Sequence, residues 1–234
     1  MSHTVNEPKD SALQSSALIV FSGGQDSTTC LYWAKQRFGQ VTAISFNYGQ
    51  RHVIELESAR YIAKIANVPH HVIELPIFNQ LGNNALTSAT EISDEPQANG
   101  LPNTFVPGRN LFFLSYAAAW AYSRNILNIV TGVAQTDYSG YPDCRENTLQ
   151  SLQKTLRLGM EADFELHTPL MHLTKAQTVK LALDSGAMPA IAFSHSCYNG
   201  EFPPCGNCAA CELRASGFAN AGIADPLVVR ATTV

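Results

Sequence analysis

Residues 17–21 (ALIVF) form a short, wholly apolar run that stops at Ser22-Gly23-Gly24-Gln25-Asp26-Ser27, and a helical pattern begins at Ser27. No other stretch limits the fold as much. A run of this length and character reads as a strand buried on both faces, which belongs in a parallel sheet. Adjacent glycines permit positive φ, so successive N–H groups can turn inward and cup an anion. The helix that follows adds its unpaired N–H groups and the positive end of its dipole. Strand, loop and helix together predict a phosphate site. Ser22, Ser27 and Thr28 bring hydroxyl donors, and Asp26 is placed to orient the loop or help hold Mg²⁺. The loop lacks the lysine of the G-x-x-x-x-G-K-[ST] pattern, which serves β and γ phosphates. Its glycines are adjacent, so the G-x-G-x-x-G dinucleotide fingerprint is excluded as well.

Alternation of strand and helix continues down the chain. Residues 41–48 (VTAISFNY), 70–76 (HHVIELP) and 126–134 (ILNIVTGVA) read as further strands, and Ile54, Tyr61, Ile62 and Ile65 share one stripe of an intervening helix. The fold expected is α/β: a Rossmann-like parallel sheet with helices on both faces, plus a small C-terminal helical, metal-binding segment. Residues 110–123 (NLFFLSYAAAWAYS) are apolar nearly all round, which predicts a core helix or half of a subunit interface. Between Phe78 and Arg109 the pattern dissolves into a long connection, the usual form of a lid or binding loop. Asp143 with Glu146, and Thr174 with Gln177, stand at capping-box spacing and predict two later helix starts. The organisation expected is a flexible tail (1–16), an α/β domain (17–190), a cysteine-bearing segment (191–226) and a loosely held tail (227–234).

Four of the six cysteines fall in residues 197–211, spaced C-x7-C-x2-C-x2-C, while Cys30 and Cys144 stand apart. Four thiolates this close can wrap one tetrahedral ion, so Cys197, Cys205, Cys208 and Cys211 are candidate ligands of a structural Zn²⁺. An iron–sulfur cluster and thiol-redox chemistry are the competing readings. His195 stands two residues before Cys197, but four cysteines already complete a shell. A cluster in a chain with no secretion signal fits a reducing cytoplasm. The formal charge of −4 argues against broad nucleic-acid binding, which needs a basic surface. No run of eighteen apolar residues predicts a membrane span.

The glycine loop resembles the pyrophosphate loop of the N-type ATP pyrophosphatases, which cleave ATP between the α and β phosphates. Taken with the cysteines, five further stretches resemble the 7-cyano-7-deazaguanine synthase family of queuosine precursor synthesis. These are SFNYGQRH, PNTFVPGRN, GVAQTDYSGYPDCR, TPLM with TKA, and CYNG with CGNCAACELRA, so the likeness runs from Ala17 to about Pro226. It implies that ATP adenylates the carboxylate of 7-carboxy-7-deazaguanine, that ammonia displaces AMP to give an amide, and that a second ATP converts the amide to a nitrile. It also implies a homodimer and Mg²⁺ accompanying ATP. The alternative within the same superfamily is action on a tRNA base.

On this resemblance, residues can be given expected roles. Phosphates and nucleotide fall to Phe21, Ser22, Gly23, Gly24, Gln25, Asp26, Ser27, Thr28, Thr29, Cys30 and Leu31, with Tyr48 at the end of the second strand near adenine. Asp26, Arg109 and Lys175 are the expected catalytic residues, Arg109 facing the α-phosphate. The deazaguanine ring shows two adjacent N–H donors that one carboxylate can accept. Asp137 and Asp143 are candidates for that carboxylate, Asp137 the better because Asp143 also reads as a helix cap. Tyr138 or Tyr141 would stack on the ring, and Arg145 would meet the substrate carboxylate. Cys144, His52, His70 and His71 carry no assignment.

Overall fold

The structure is a computed structural model, and it describes residues 15–50, 54–80, 100–135 and 141–232. Five parallel strands lie in the order β3-β2-β1-β4-β5. They are β1 (Ser16–Val20), β2 (Gln40–Asn47), β3 (His70–Glu74), β4 (Asn128–Val130) and β5 (Glu165–His167). The sequence reading found four of them. It missed β5, whose three residues Glu-Leu-His are too few and too mixed to show a period. The fourth strand is also shorter than read, because the chain after Val130 leaves the sheet to line a cavity.

Alternation along the strands builds two cores. Ala17 and Ile19 of β1, Val41 and Ala43 of β2, and Val130 of β4 face one side. There they meet α1 (Gln25–Lys35) and α2 (Ile54–Ile65) through Leu31, Ala34, Ala59 and Ile62. Leu18, Ile44, Phe46 and Ile129 face the other side, against α3 (Arg109–Tyr122) and α4 (Glu146–Met160). Leu18, Ile19, Ile44 and Ile129 are fully enclosed, each worth about 1.5–3 kcal/mol relative to exposure. The helix expected to be apolar all round, α3, buries Phe113, Leu114, Ala117, Ala118 and Ala121, and leaves Phe112, Tyr116 and Tyr122 exposed.

The remaining helices pack on α1 and on one another. They are α5 (Lys175–Asp184), α6 (Met188–Ile191), α7 (Ala209–Ala221) and α8 (Pro226–Thr232). Gly217 in the middle of α7 faces α5, and a Cβ there would stand 3.0 Å from the Lys175 Cβ, so glycine sets how closely the two helices approach. Arg214 of α7 is buried and fixes the turn into α8: it donates to both oxygens of Asp225, at 2.6 and 2.9 Å, and to Ser194 Oγ at 2.8 Å. The stretch expected to be a loose tail is therefore helical through Thr232, with Leu227 buried.

One of the two expected capping boxes is present. Thr174 Oγ1 accepts from Gln177 N while Gln177 Oε1 accepts from Thr174 N. The other is not: α4 starts from Arg145 with no side-chain cap. Asp143 instead sits in a short 3-10 turn and accepts the N–H of Asn110 at 2.9 Å, so it serves the first turn of α3. Local spacing suggested the near helix, and tertiary packing gave the carboxylate to a far one. Among the described residues no helix is long and apolar enough to cross a membrane.

The Arg214–Asp225 pair generates a stability prediction. Asp225→Ala strands a buried guanidinium and should cost about 3–5 kcal/mol in urea unfolding, whereas the double change Arg214→Met with Asp225→Leu should cost much less.

Candidate nucleotide and metal sites

The order β3-β2-β1-β4-β5 reverses direction between β1 and β4, and open α/β sheets bind ligands beyond the carboxyl ends of the strands at such a point. A cavity of about 360 Å³ lies there, bounded by the β1–α1 loop, the ends of β2 and β4, the starts of α2, α3 and α5, and the segment around Cys197.

Backbone contacts set the loop's shape. Gly23 has φ of +82°, and a Cβ on it would lie 2.6 Å from Ala59 N and Glu55 O of α2. Its carbonyl accepts the N–H of His195 at 3.0 Å. Gly132, just after β4, lies so near the start of α1 that a Cβ would stand 3.0 Å from Ser27 N. Ser22 Oγ and Ser27 Oγ are 3.0 Å apart, and Ser27 Oγ donates to Gly24 O at 3.2 Å. The first turn of α1 follows Gly24 with no side-chain cap, which leaves its N–H groups for an incoming anion. Gln25 Nε2, Asp26 Oδ1 and Thr28 Oγ1 are buried without a hydrogen-bond partner. An unpaired carboxylate oxygen at this helix start suits a hard cation such as Mg²⁺, which takes one or two carboxylates beside phosphate oxygens.

The lysine missing from the loop comes from elsewhere. Lys175 Nζ, on the first turn of α5, donates to Asp26 Oδ2 at 2.6 Å and lines the cavity. Arg109, on the first turn of α3, also lines it. Its guanidinium donates to the Tyr48 hydroxyl at 3.2 Å and lies 5.8 and 5.9 Å from the ring centres of Tyr48 and Tyr141. Burial opposes its charge, but the nearby tyrosine oxygens and Asp143 outweigh burial and raise its pKa, so Arg109 is a fixed cation.

Of the expected nucleotide residues, Phe21, Ser22, Gly24, Gln25, Asp26, Ser27 and Tyr48 line the cavity. Gly23 stands behind it, and Thr28, Thr29, Cys30 and Leu31 are fully buried beneath, outside the lining. The Cys30 thiol is pushed up by burial and then by Asp26, so it stays protonated in the core. Of the expected substrate residues, Tyr141 lines the cavity, with its hydroxyl 2.7 Å from Thr104 Oγ1. Asp143 is engaged by Asn110, and Arg145 lies at a small neighbouring pocket with Gln135 and Tyr141. Asp137 and Tyr138 lie outside the described residues, as do His52 and residues 81–99 of the expected lid. Cys144 Sγ accepts from Asn110 Nδ2 at 3.2 Å. His70 braces the sheet: its Nε2 is 2.7 Å from Ser45 Oγ of β2, and burial, with Arg60 and His71 beside it, brings its pKa down to about 4.

Sequence reading missed several lining residues. Glu55, Gln50, Gly132, His195, Ser196 and Tyr198 all face the cavity. Gly132 carried a signal, a glycine inside the apolar run read as the fourth strand, where it marks a close backbone approach. Glu55 carried none, since an acid in the first turn of a helix is ordinary. Burial raises the Glu55 carboxyl to about 7, against the opposing effect of Arg109.

The four clustered cysteines come together. Their Sγ atoms all lie within 4.8 Å of one another, with Cys205 and Cys211 3.9 Å apart. A tetrahedral ion with bonds of about 2.3 Å requires Sγ separations of about 3.8 Å, so the set is close to a metal's geometry. Gly206 turns the chain at φ +77°, and Cys208 opens α7. Cys197 and Tyr198 line the cavity as well, so the cysteine-bearing segment forms one of its walls.

The family model described as "Queuosine biosynthesis protein QueC" matches residues 16–222. Proteins named 7-cyano-7-deazaguanine synthase are similar over nearly full length. That of Laribacter hongkongensis is 65% identical over 216 residues, 92% of this chain and 94% of that protein. That of Chromobacterium violaceum is 62% identical over 218 residues (92% and 93%), and that of Clostridium acetobutylicum 51% over 205 residues (86% and 92%). Among solved structures, NMN synthetase of Francisella tularensis matches at 14% identity and TM-score 0.49, covering 94% of this chain and 83% of that one, a likeness too slight to bear on function. A match spanning β1 to the end of α7, together with relatives this similar, means that the chain belongs to the QueC family of queuosine biosynthesis proteins.

Proposed function

We propose that the protein is an ATP-dependent carbon–nitrogen ligase that converts 7-carboxy-7-deazaguanine and ammonia to 7-cyano-7-deazaguanine. The observation that carries this reading is the cavity at the β1/β4 switch point. There an uncapped helix start, an in-facing lysine and a half-buried arginine surround a space lined by tyrosines. It is joined by the name shared by relatives up to 65% identical.

The substrate carboxylate oxygen attacks the α-phosphorus of ATP, and pyrophosphate departs. Ammonia adds at the activated carbon, AMP leaves, and loss of a proton gives the amide. The amide oxygen then attacks a second ATP in the same way; loss of AMP and of the remaining N–H protons leaves the nitrile. Neither oxygen leaves unaided, whereas AMP does, so one site can serve both halves. The N–H groups at the start of α1 and the Lys175 ammonium would hold the β and γ phosphates and stabilise pyrophosphate as its charge grows. Lys175 is drawn toward the loop by Asp26, so it meets the phosphates from across the cavity. Arg109 would stabilise charge on the α-phosphate, its guanidinium kept in place by Tyr48. Asp26 Oδ1 would ligate Mg²⁺, which supplies charge neutralisation at the phosphates.

Cys197, Cys205, Cys208 and Cys211 would hold one structural Zn²⁺, which ties Cys197 to the start of α7 within the 191–226 segment and leaves no open position for chemistry. Residues 17–190 would then form the catalytic α/β unit. Phe112, Tyr116 and Tyr122, exposed on α3, support a homodimer. A cytoplasmic setting fits thiolates that must stay reduced.

With ATP, Mg²⁺, ammonium and 7-carboxy-7-deazaguanine, the products should be two AMP and two pyrophosphate per nitrile, with no ADP; formation of ADP would contradict the α,β cleavage. Lys175→Ala should lower kcat by at least 10²-fold in the pyrophosphate-release assay, and should lower the melting temperature as well, because the mostly buried Asp26 loses its ion-pair partner. Elemental analysis should find one zinc per chain. Cys208→Ser should lose that zinc and weaken ATP binding as well, since His195, two residues before Cys197, donates to the loop carbonyl of Gly23.

A further inference from the structure

Two carboxylates line the cavity among the described residues, Asp26 and Glu55. Asp26 is engaged by Lys175 at the phosphate loop. Glu55 is half-buried on the first turn of α2, and among the described residues its carboxylate takes no hydrogen bond and no ion pair. Its backbone is held in place, because Gly23 packs against its carbonyl too closely to admit a Cβ. The titratable or charged groups facing it are Arg109 from α3, Tyr48 beyond the end of β2, and Tyr198 from the segment after Cys197. Tyr48, Tyr141 and Tyr198 give the same space flat walls on which a fused ring can stack.

Of the two carboxylates expected to read the substrate ring, Asp143 is already engaged by Asn110 and is absent from the cavity lining. An ionised carboxylate only accepts hydrogen bonds. The edge of adenine alternates an N–H donor with a bare ring nitrogen, which a carboxylate repels. The edge of a guanine-type ring offers two donors side by side, which its two oxygens match.

We propose that Glu55 is the residue that recognises the deazaguanine ring, its two oxygens accepting the ring N–H and the adjacent exocyclic amino N–H, a role that rests on the substrate assigned under Proposed function. Arg109 nearby favours the ionised form that this role requires. The carboxyl titrates near 7 in the free protein, so lowering the pH protonates one acceptor and turns it into a donor facing a donor.

The test is calorimetric titration of the whole protein with 7-cyano-7-deazaguanine, which carries no carboxylate of its own, and separately with α,β-methylene-ATP. Wild-type protein should bind the nitrile about tenfold more weakly at pH 6 than at pH 8, with nucleotide binding less affected. It should bind an analogue lacking the exocyclic amino group at least tenfold more weakly than the nitrile. Glu55→Gln should weaken nitrile binding by about 10- to 100-fold, largely erase both the pH difference and the discrimination against the analogue, and still bind the nucleotide. The two wild-type comparisons stand even if the variant does not fold. Equal binding of nitrile and analogue by wild-type protein, or a variant that loses the nucleotide instead of the ring, would overturn the assignment. If wild-type protein binds no deazaguanine at any pH, the substrate reading itself fails and this assignment goes with it; if it binds and Glu55→Gln binds as well, the assignment alone fails.

Discussion

Backbone crowding around Gly23 and the start of α1 is the constraint on which the rest of the site depends. The first turn of α2 lies against one side of Gly23, and the carbonyl of His195 lies 3.4 Å from where a Gly24 Cβ would be. The end of β4 reaches the start of α1 through Gly132. Three segments distant in sequence thus converge on six residues of loop. The approaches at Gly23 and Gly132 do not readily tolerate a side chain, so the loop's form is imposed from outside as much as by its own glycines. A loop set in this way can present N–H groups to an anion without reorganising, which is the condition for electrostatic stabilisation of a departing group.

The same crowding links the two ends of the chain. His195 donates to Gly23 O, Cys197 follows two residues later, and Tyr198 then turns into the cavity. On the other side, Gly217 lets α7 press on Lys175, whose ammonium reaches Asp26. The cysteine cluster and the last helices therefore act on the phosphate loop through two short paths, one of backbone and one of charge. A metal held by the four thiolates, remote from any reacting atom, would influence nucleotide binding because the wall it orders is the wall that touches the loop.

Charge in the cavity is divided between a fixed cation and an adaptable acid. Arg109 is half-buried beside tyrosine oxygens and stays charged. Glu55, close enough to feel it, is raised by burial toward neutrality. Titratable groups held apart in this manner are characteristic of working sites, because each environment selects a different protonation state. The tyrosines serve both: the Tyr48 hydroxyl accepts from the guanidinium, and the ring faces leave room for flat ligands.

Much of this was legible from residue order alone. A wholly apolar run before two glycines specifies strand, turn and helix locally, since each follows from backbone freedom and unpaired N–H groups within ten residues. The cysteine spacing likewise specifies a metal-sized cluster, because C-x2-C steps bring thiolates together without help from the rest of the fold. Lys175 and Arg109 could be named as candidates from their stretches, but only packing brings them to one cavity. What tertiary structure alone decided was which carboxylate, among the described residues, faces the cavity with no hydrogen bond. Asp143 looked like a cap for its own helix and proved to serve α3, while Glu55 looked like an ordinary first-turn acid and proved to face the cavity. Sequence specifies what a side chain can do with its near neighbours. Whether its hydrogen bonds are already taken depends on residues dozens of positions away, and only the folded chain brings those into reach.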